Sequence, residues 1–224
     1  FRLADGTDKE FAIRVDAQTL DLVSAKRSDY PAWSALAYHQ CPNCPLRQEQ
    51  HPRCPIAANL VDLGEFFKEA MSYAEVDVQI ETDQRRYTKH TSVQQALSSL
   101  LGIYMVTSGC PVMDRLRPMV RFHLPFATLE ETTYRVISMY LMAQYFRRKR
   151  GLRPDWELKG LVPIYEEIQI VNKTFLQRLN ALKGKDANAN ALIILDSFAG
   201  YVTFSINTDL LDEFEGLFKP YLEE

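Results

Sequence analysis

The sequence lacks the motifs of the common enzyme classes and shows no bias in its charge. It contains no Gly-rich phosphate loop, no GxSxG and no HExxH, so the usual dinucleotide-binding, kinase and hydrolase signatures are absent. A net charge of −3 argues against a general nucleic-acid-binding surface. The apolar runs are interrupted by Arg, Asp or Gly, and we therefore predict no segment that is long enough to span a bilayer.

Cysteine is also scarce, and its scarcity excludes a disulfide-rich scaffold. Four cysteines in 224 residues are too few for the frameworks of small secreted domains. Hydrophobic residues at 46% and charged residues at 25% are typical of an ordinary folded protein. We therefore expect a cytoplasmic protein whose partner, if it has one, is another protein rather than nucleic acid or a membrane. In that compartment a cysteine cluster is typical of metal binding or catalysis.

The cysteines share one unusual feature, because each is followed directly by proline. Proline makes up about 5% of ordinary sequence, so four such pairs would arise by chance about once in a hundred thousand cases. Proline suits the first residue of a helix and holds a tight turn rigid, so it presets the geometry of its neighbour. The pattern predicts thiolates held for a common purpose in the pairs Cys41-Pro42, Cys44-Pro45, Cys54-Pro55 and Cys110-Pro111.

The spacing of these cysteines predicts a four-sulfur site. Cys41-x2-Cys44 is a chelate, and Cys54 with the distant Cys110 completes four thiolate ligands. Zinc sites usually consist of two short Cys-x2-Cys knuckles, whereas the last two cysteines here are single, which favours a 4Fe-4S iron–sulfur cluster. Zinc remains the alternative metal.

Two readings without metal also stay open. Cysteine is among the most buried residue types, and the prolines could simply start helices. Alternatively Cys41 and Cys44 form a reactive dithiol in a thiol-dependent enzyme, although the strand-then-helix context of a thioredoxin is missing. His39 and His51 flank the cysteine segment and could replace a ligand, but we expect them to be loop or outer residues.

The first half of the chain has the pattern of an antiparallel sheet. Residues 1–24 alternate as strands around a turn at Asp5-Gly6, and residues 76–90 alternate around Asp83-Gln84, which predicts two hairpins. Residues 25–55 are polar and rich in proline, so something other than secondary structure should organise this cysteine-bearing segment. Capping-box spacing from Thr91 and Ser92 predicts a helix that ends at Gly109.

Further helices are predicted wherever apolar residues recur at helical spacing. One begins at Pro55 with Cys54 as its N-cap, and another begins at Pro111, so two cysteines lie where helix N–H groups favour anions. Thr128 and Glu131 form a capping box for a third. The same spacing predicts three more helices, from Pro163 through Leu182, over residues 191–206 and over residues 210–222.

These patterns predict an α+β fold: an N-terminal antiparallel sheet of two hairpins, a Cys-rich metal-binding segment and a helical C-terminal half. We divide the chain into an α+β domain over residues 1–126, which carries the Cys-Pro cluster, and a helical region over residues 127–224. We expect the two to pack as one unit.

Three segments carry a family resemblance. The segments CPNCPL (41–46), CPIAANL (54–60) and SGCPVMDRLRPMVRFHLPF (108–126) resemble an uncharacterised bacterial protein family of about this length, with CPxCPL, CPxAxNL and SGCP motifs. The resemblance covers most of the chain. It implies that the cysteine site is a feature of the family, and it implies no substrate or activity.

Overall fold

An antiparallel sheet and a set of packed helices form the regular structure of this chain. The structure is a computed structural model and describes residues 1–24, 27–122, 124–180 and 184–223. The sheet lies in the first half of the chain and the second half is helical. The predicted α+β class is therefore confirmed.

The sheet has three strands in the order β1-β2-β3, which are Arg2–Leu3, Glu75–Glu81 and Arg86–Ser92. β2 and β3 form the predicted hairpin, with Val78 opposite Lys89. β1 pairs with β2. At the predicted turn Asp5-Gly6 the chain does fold back, with an isolated bridge between Arg2 and Asp8, but residues 8–24 form no strand. The first predicted hairpin is therefore present only as a turn with isolated bridges. Phe1 and Phe11 pack on Phe67, with ring centroids 5.2 and 5.9 Å from it.

The described residues form eight α-helices and three 3-10 helices. The α-helices are α1 (Pro55–Asn59), α2 (Val61–Phe66), α3 (Val93–Thr107), α4 (Arg117–Phe122), α5 (Leu129–Lys149), α6 (Leu161–Asn180), α7 (Ala187–Asn207) and α8 (Lys219–Leu222). The 3-10 helices are Ala32–Ser34, Met113–Leu116 and Asp209–Phe218.

The ends of the helices show where local sequence signals hold. Thr128 and Glu131 make the predicted capping box at the start of α5, and Cys54 is the N-cap of α1 with Pro55 as its first residue. The capping box predicted before α3 is wrong, because the Ser92 side chain makes no cap hydrogen bond. The Thr91 hydroxyl instead donates to the side chain of Gln95.

Helices α3, α6 and α7 form the centre of the core. α7 packs against both α3 and α6, and its buried residues Ala191 and Leu192 are at most 1% exposed. Buried residues from both predicted regions belong to one continuous apolar cluster, which includes Leu101 of α3 and Phe175 of α6.

Helix α6 begins at Leu161, two residues before the predicted Pro163. Predictions at Leu182 and at His123 of the third motif lie outside the described residues.

Helix α7 is more apolar than we expected. It has 21 residues, and its most apolar window of 18 residues has a mean hydropathy of 1.4, which is enough by length and composition to cross a membrane. The prediction that no segment reaches this limit is therefore wrong. Core helices of globular proteins also reach it; α7 contacts α3 and α6, and 28% of its apolar window is buried.

Candidate functional site

The four cysteines meet at one small cavity. Cys41, Cys44, Cys54 and Cys110 all line it, although Cys110 is 56 residues from its nearest partner in the sequence. All four are free thiols; Cys110 is buried and the others are half-buried. The remaining wall is mostly apolar and comes from helices and loops of both halves of the chain: Leu36, Leu46, Ile56, Val112, Val171 and Phe175.

Cys54 reaches the cavity from the start of α1. Its backbone is extended, with φ −68° and ψ 123°, and its N–H donates to the carbonyl of Ser34 at 2.9 Å. The backbone N–H groups of Ile56 and Ala57 face its sulfur. Because Pro55 has no N–H to offer, the first free donors of the helix are the ones directed at this thiol.

Cys110 reaches the cavity from the turn that ends α3. Gly109 has φ +87°, a left-handed conformation that glycine adopts without strain. The short helix predicted from Pro111 through Met113 and Leu116 is present as a 3-10 helix, but it begins two residues later, at Met113. A hydrogen bond of 3.0 Å from the Asp114 N–H to the Cys110 carbonyl forms a turn just before it. The outcome for the sulfur is nevertheless similar, because the N–H groups of Val112 and Met113 face it.

Cys41 and Cys44 lie on a tight loop that is attached to α6. The Cys44 N–H donates to the Cys41 carbonyl at 3.0 Å, and the Gln40 side chain closes the loop by donating to the Leu46 carbonyl at 3.0 Å. Asn43, between the cysteines, donates from Nδ2 to the Glu167 carbonyl of α6, also at 3.0 Å. These bonds hold two sulfurs against the cavity without a helix or strand.

Burial favours the protonated form of three of the four thiols. Together with the neighbouring cysteines, which contribute less, it raises the pKa of Cys41 from 9.0 to about 11. Burial also raises the pKa of Cys54 and Cys110, although the facing N–H groups oppose the rise in both. These cysteines are therefore poor nucleophiles until something that favours the thiolate enters the cavity.

Arg178 forms the charged part of the cavity wall. Its side chain is among the largest fully buried ones, at 2% exposure for the residue. Burial lowers the pKa of the guanidinium, while Cys54 and Cys41 act to raise it. Both Nη atoms donate to backbone carbonyls, namely those of Trp33, Ala35, Leu36 and His39.

These contacts explain how residues 32–39 are held, although their regular structure is limited to the short 3-10 helix Ala32–Ser34. The segment runs irregularly towards Cys41, and four of its carbonyls converge on the one guanidinium of Arg178. A hydrogen bond of 3.0 Å from the Leu36 N–H to the Pro52 carbonyl joins it to the chain before Cys54. A side chain of α6 therefore organises the segment, as the composition of residues 25–55 required.

The two histidines that could replace a ligand do not line the cavity. His39 and His51 are both exposed. His39 contributes its backbone carbonyl to Arg178 at 3.2 Å, and the His51 N–H donates to the Arg47 carbonyl. Both are loop residues, as expected.

The described part of the chain shows no preformed site for a metal ion. Among the described residues, no group of three or more His, Cys, Asp or Glu is arranged to hold one. The cavity measures about 20 Å³. A metal bound to sulfur lies about 2.3 Å from it, well inside a van der Waals contact of about 3.5–4.0 Å. The empty volume of the cavity is therefore smaller than the space that a group bonded to the sulfurs could occupy.

Sequence reasoning found the cysteines but missed Arg178 and Asn43. Arg178 could have been noticed, because it follows Val171 and Phe175 at helical spacing on the apolar face of α6. A charged residue in such a stripe is buried only with partners. Asn43 carried no comparable signal, since its partner is a backbone carbonyl 124 residues away.

The chain belongs to the DUF6901 family, described as a domain of unknown function, whose family model matches residues 1–219. This match over nearly the whole chain confirms the resemblance to an uncharacterised family. No curated protein and no solved structure matches the chain. The family supplies no activity, so a functional argument has to come from the cysteine cavity itself.

Proposed function

We propose that this protein binds an iron–sulfur cluster of the 4Fe-4S type through Cys41, Cys44, Cys54 and Cys110, and that it acts in redox sensing, electron transfer or regulation. The observation that carries the proposal is the convergence of all four cysteines on one cavity. Cys110 has no local reason to be there, because three helices and a hairpin separate it from the others.

The polar groups around the cavity favour an anionic occupant. A cubane with four thiolate ligands carries a net charge of about −2, and hydrogen bonds to its sulfurs stabilise it. The N–H groups of Ile56 and Ala57 face one sulfur and those of Val112 and Met113 face another. Arg178 adds a full positive charge. Donors and cation together would offset the negative charge of a cluster.

The spacing of the cysteines in the sequence favours a cluster over the zinc alternative. Structural zinc sites usually combine two short Cys-x2-Cys knuckles. Here only Cys41 and Cys44 form such a pair, whereas Cys54 and Cys110 are single.

The raised pKa values weigh against the thiol-enzyme alternative. A catalytic cysteine needs a depressed pKa, which a neighbouring base or cation supplies. The pKa of Cys41 is raised to about 11, and those of Cys54 and Cys110 are raised as well. Neither exposed histidine lines the cavity as a base.

The proposal is tested by purifying the full chain without oxygen and measuring its metal and sulfide. We expect a brown protein with absorption at about 400 nm and about four iron and four acid-labile sulfide per chain. A colourless protein with one zinc and no sulfide would reject the cluster in favour of the zinc-stabilised module. A protein without metal under both iron and zinc supply would reject both.

The Cys110→Ser variant tests whether the distant cysteine is a ligand. If it is, iron content should collapse to a small fraction of the wild-type value, even though the other three cysteines remain. Val112→Ala is the matched control, because the Val112 side chain lines the same cavity but carries no sulfur, and the substitution leaves its backbone N–H in place. We expect it to keep its iron. Equal iron in Cys110→Ser and wild type would remove Cys110 from the site.

A further inference from the structure

Arg178 is a buried cation whose charge is not neutralised by the contacts that hold it. Its four Nη–H groups are taken by four carbonyl oxygens, at 2.5 and 2.7 Å for Nη1 and at 3.4 and 3.2 Å for Nη2. Carbonyl oxygens solvate a guanidinium but carry no net charge. Among the described residues, no ion pair includes Arg178.

Such an arrangement is costly unless an anion comes close. A buried charge without a counter-charge destabilises the folded state, even when it is hydrogen-bonded. Tyr38 presents the face of its ring, 5.8 Å from the guanidinium carbon. Arg178 lines the same cavity as the four cysteines. Because metals bind cysteine as the thiolate, a metal-containing occupant would turn these sulfurs into anions beside Arg178.

We propose that Arg178 is the internal counter-ion of the four-cysteine site and that its fixed positive charge raises the reduction potential of the cluster bound there. This inference rests on the proposed function. In the step concerned, one electron passes from an external one-electron donor, such as dithionite, to the iron of the cluster. No bond is broken and no proton is required. The reduced cluster carries one more negative charge than the oxidised cluster.

Arg178 therefore stabilises the reduced state more than the oxidised one. The guanidinium and the four sulfurs line the same cavity, and charges interact more strongly in a protein interior than in water. The guanidinium is already oriented by its four carbonyls, so little reorganisation accompanies the electron. The same charge favours an anionic occupant over a neutral one.

The test compares reduction potentials of wild type and Arg178→Gln, each reconstituted with iron and sulfide in the full chain. Glutamine removes the charge but keeps an N–H₂ group for the carbonyls. At the wild-type midpoint potential, the ratio of reduced to oxidised cluster in Arg178→Gln should fall by about tenfold or more. Arg117→Gln is the matched control, because Arg117 is also largely buried but is paired with Asp21 and Asp114. Its ratio should stay within about threefold of wild type.

A second variant covers the case in which Arg178→Gln does not fold. Arg178→Lys keeps a charge that can be removed by raising the pH, whereas arginine stays charged throughout. The potential of this variant should fall as the lysine loses its proton, while that of wild type stays level over the same range. A purely structural role for Arg178 would change stability and iron content without this pH dependence.

The outcomes separate the two proposals. If wild type binds no iron and sulfide, the proposed function fails and this inference fails with it. If wild type holds a cluster but Arg178→Gln has an unchanged potential, only the counter-ion role is overturned. A level potential in Arg178→Lys over the whole pH range would overturn it as well.

Discussion

Alkylation of the reduced, metal-free protein should distinguish Cys41 from an ordinary thiol. Burial raises the pKa of Cys41 from 9.0 to about 11. At about pH 8 this lowers the thiolate fraction from about one in ten to about one in a thousand, and only the thiolate reacts. We therefore expect iodoacetamide to modify Cys41 about a hundredfold more slowly in the folded chain than in the same chain in urea.

The assay is a time course read by mass spectrometry of peptides, with the urea-unfolded chain as the reference. In urea the four cysteines share one environment and should react at similar rates. If the folded chain modifies Cys41 as fast as the unfolded chain does, the thiol is not buried and the cavity described above is not formed. A faster reaction than in urea would indicate an activated nucleophile and would favour a thiol enzyme.

Two further predictions concern stability and do not depend on the metal. The Tyr140 hydroxyl donates to the Asp155 carboxylate at 2.8 Å, so Tyr140→Phe should lower the free energy of unfolding, measured in urea, by about 1–2 kcal/mol. The control is Tyr134→Phe, at an exposed tyrosine, which should change this free energy by less than about 0.5 kcal/mol. Equal effects of the two substitutions would contradict the role of the hydrogen bond. Burial raises the pKa of Asp196, and its Oδ1 is buried without a hydrogen-bond partner. The folded state therefore favours the protonated carboxylic acid, and the protein loses stability as the pH rises towards the raised pKa. Asp196→Asn should therefore be more stable than wild type at about pH 7, by about 0.5 kcal/mol after allowance for solvent screening. The two should converge at low pH, and a difference that persists there would have another cause.

Local sequence signals predicted much of the secondary structure. The hairpin of β2 and β3 follows from strict alternation of apolar and polar residues, and the start of α5 follows from the spacing of Thr128 and Glu131. Both depend on residues a few positions apart, so the chain itself carries the information. The first hairpin is present only as a turn with isolated bridges, and β1 pairs with the distant β2, a pairing that local alternation does not encode.

The sequence by itself determined that four cysteines, each followed by proline, share a purpose, because local composition makes such pairs improbable by chance. Only the tertiary structure decided what surrounds them. The packing of α6 against the loops brings Arg178 to four carbonyls and to the thiols, and it brings Asn43 to Glu167. Side chains that bond backbone groups more than a hundred residues away leave no periodic trace in a sequence, so the charge of the cavity became visible only in the folded chain.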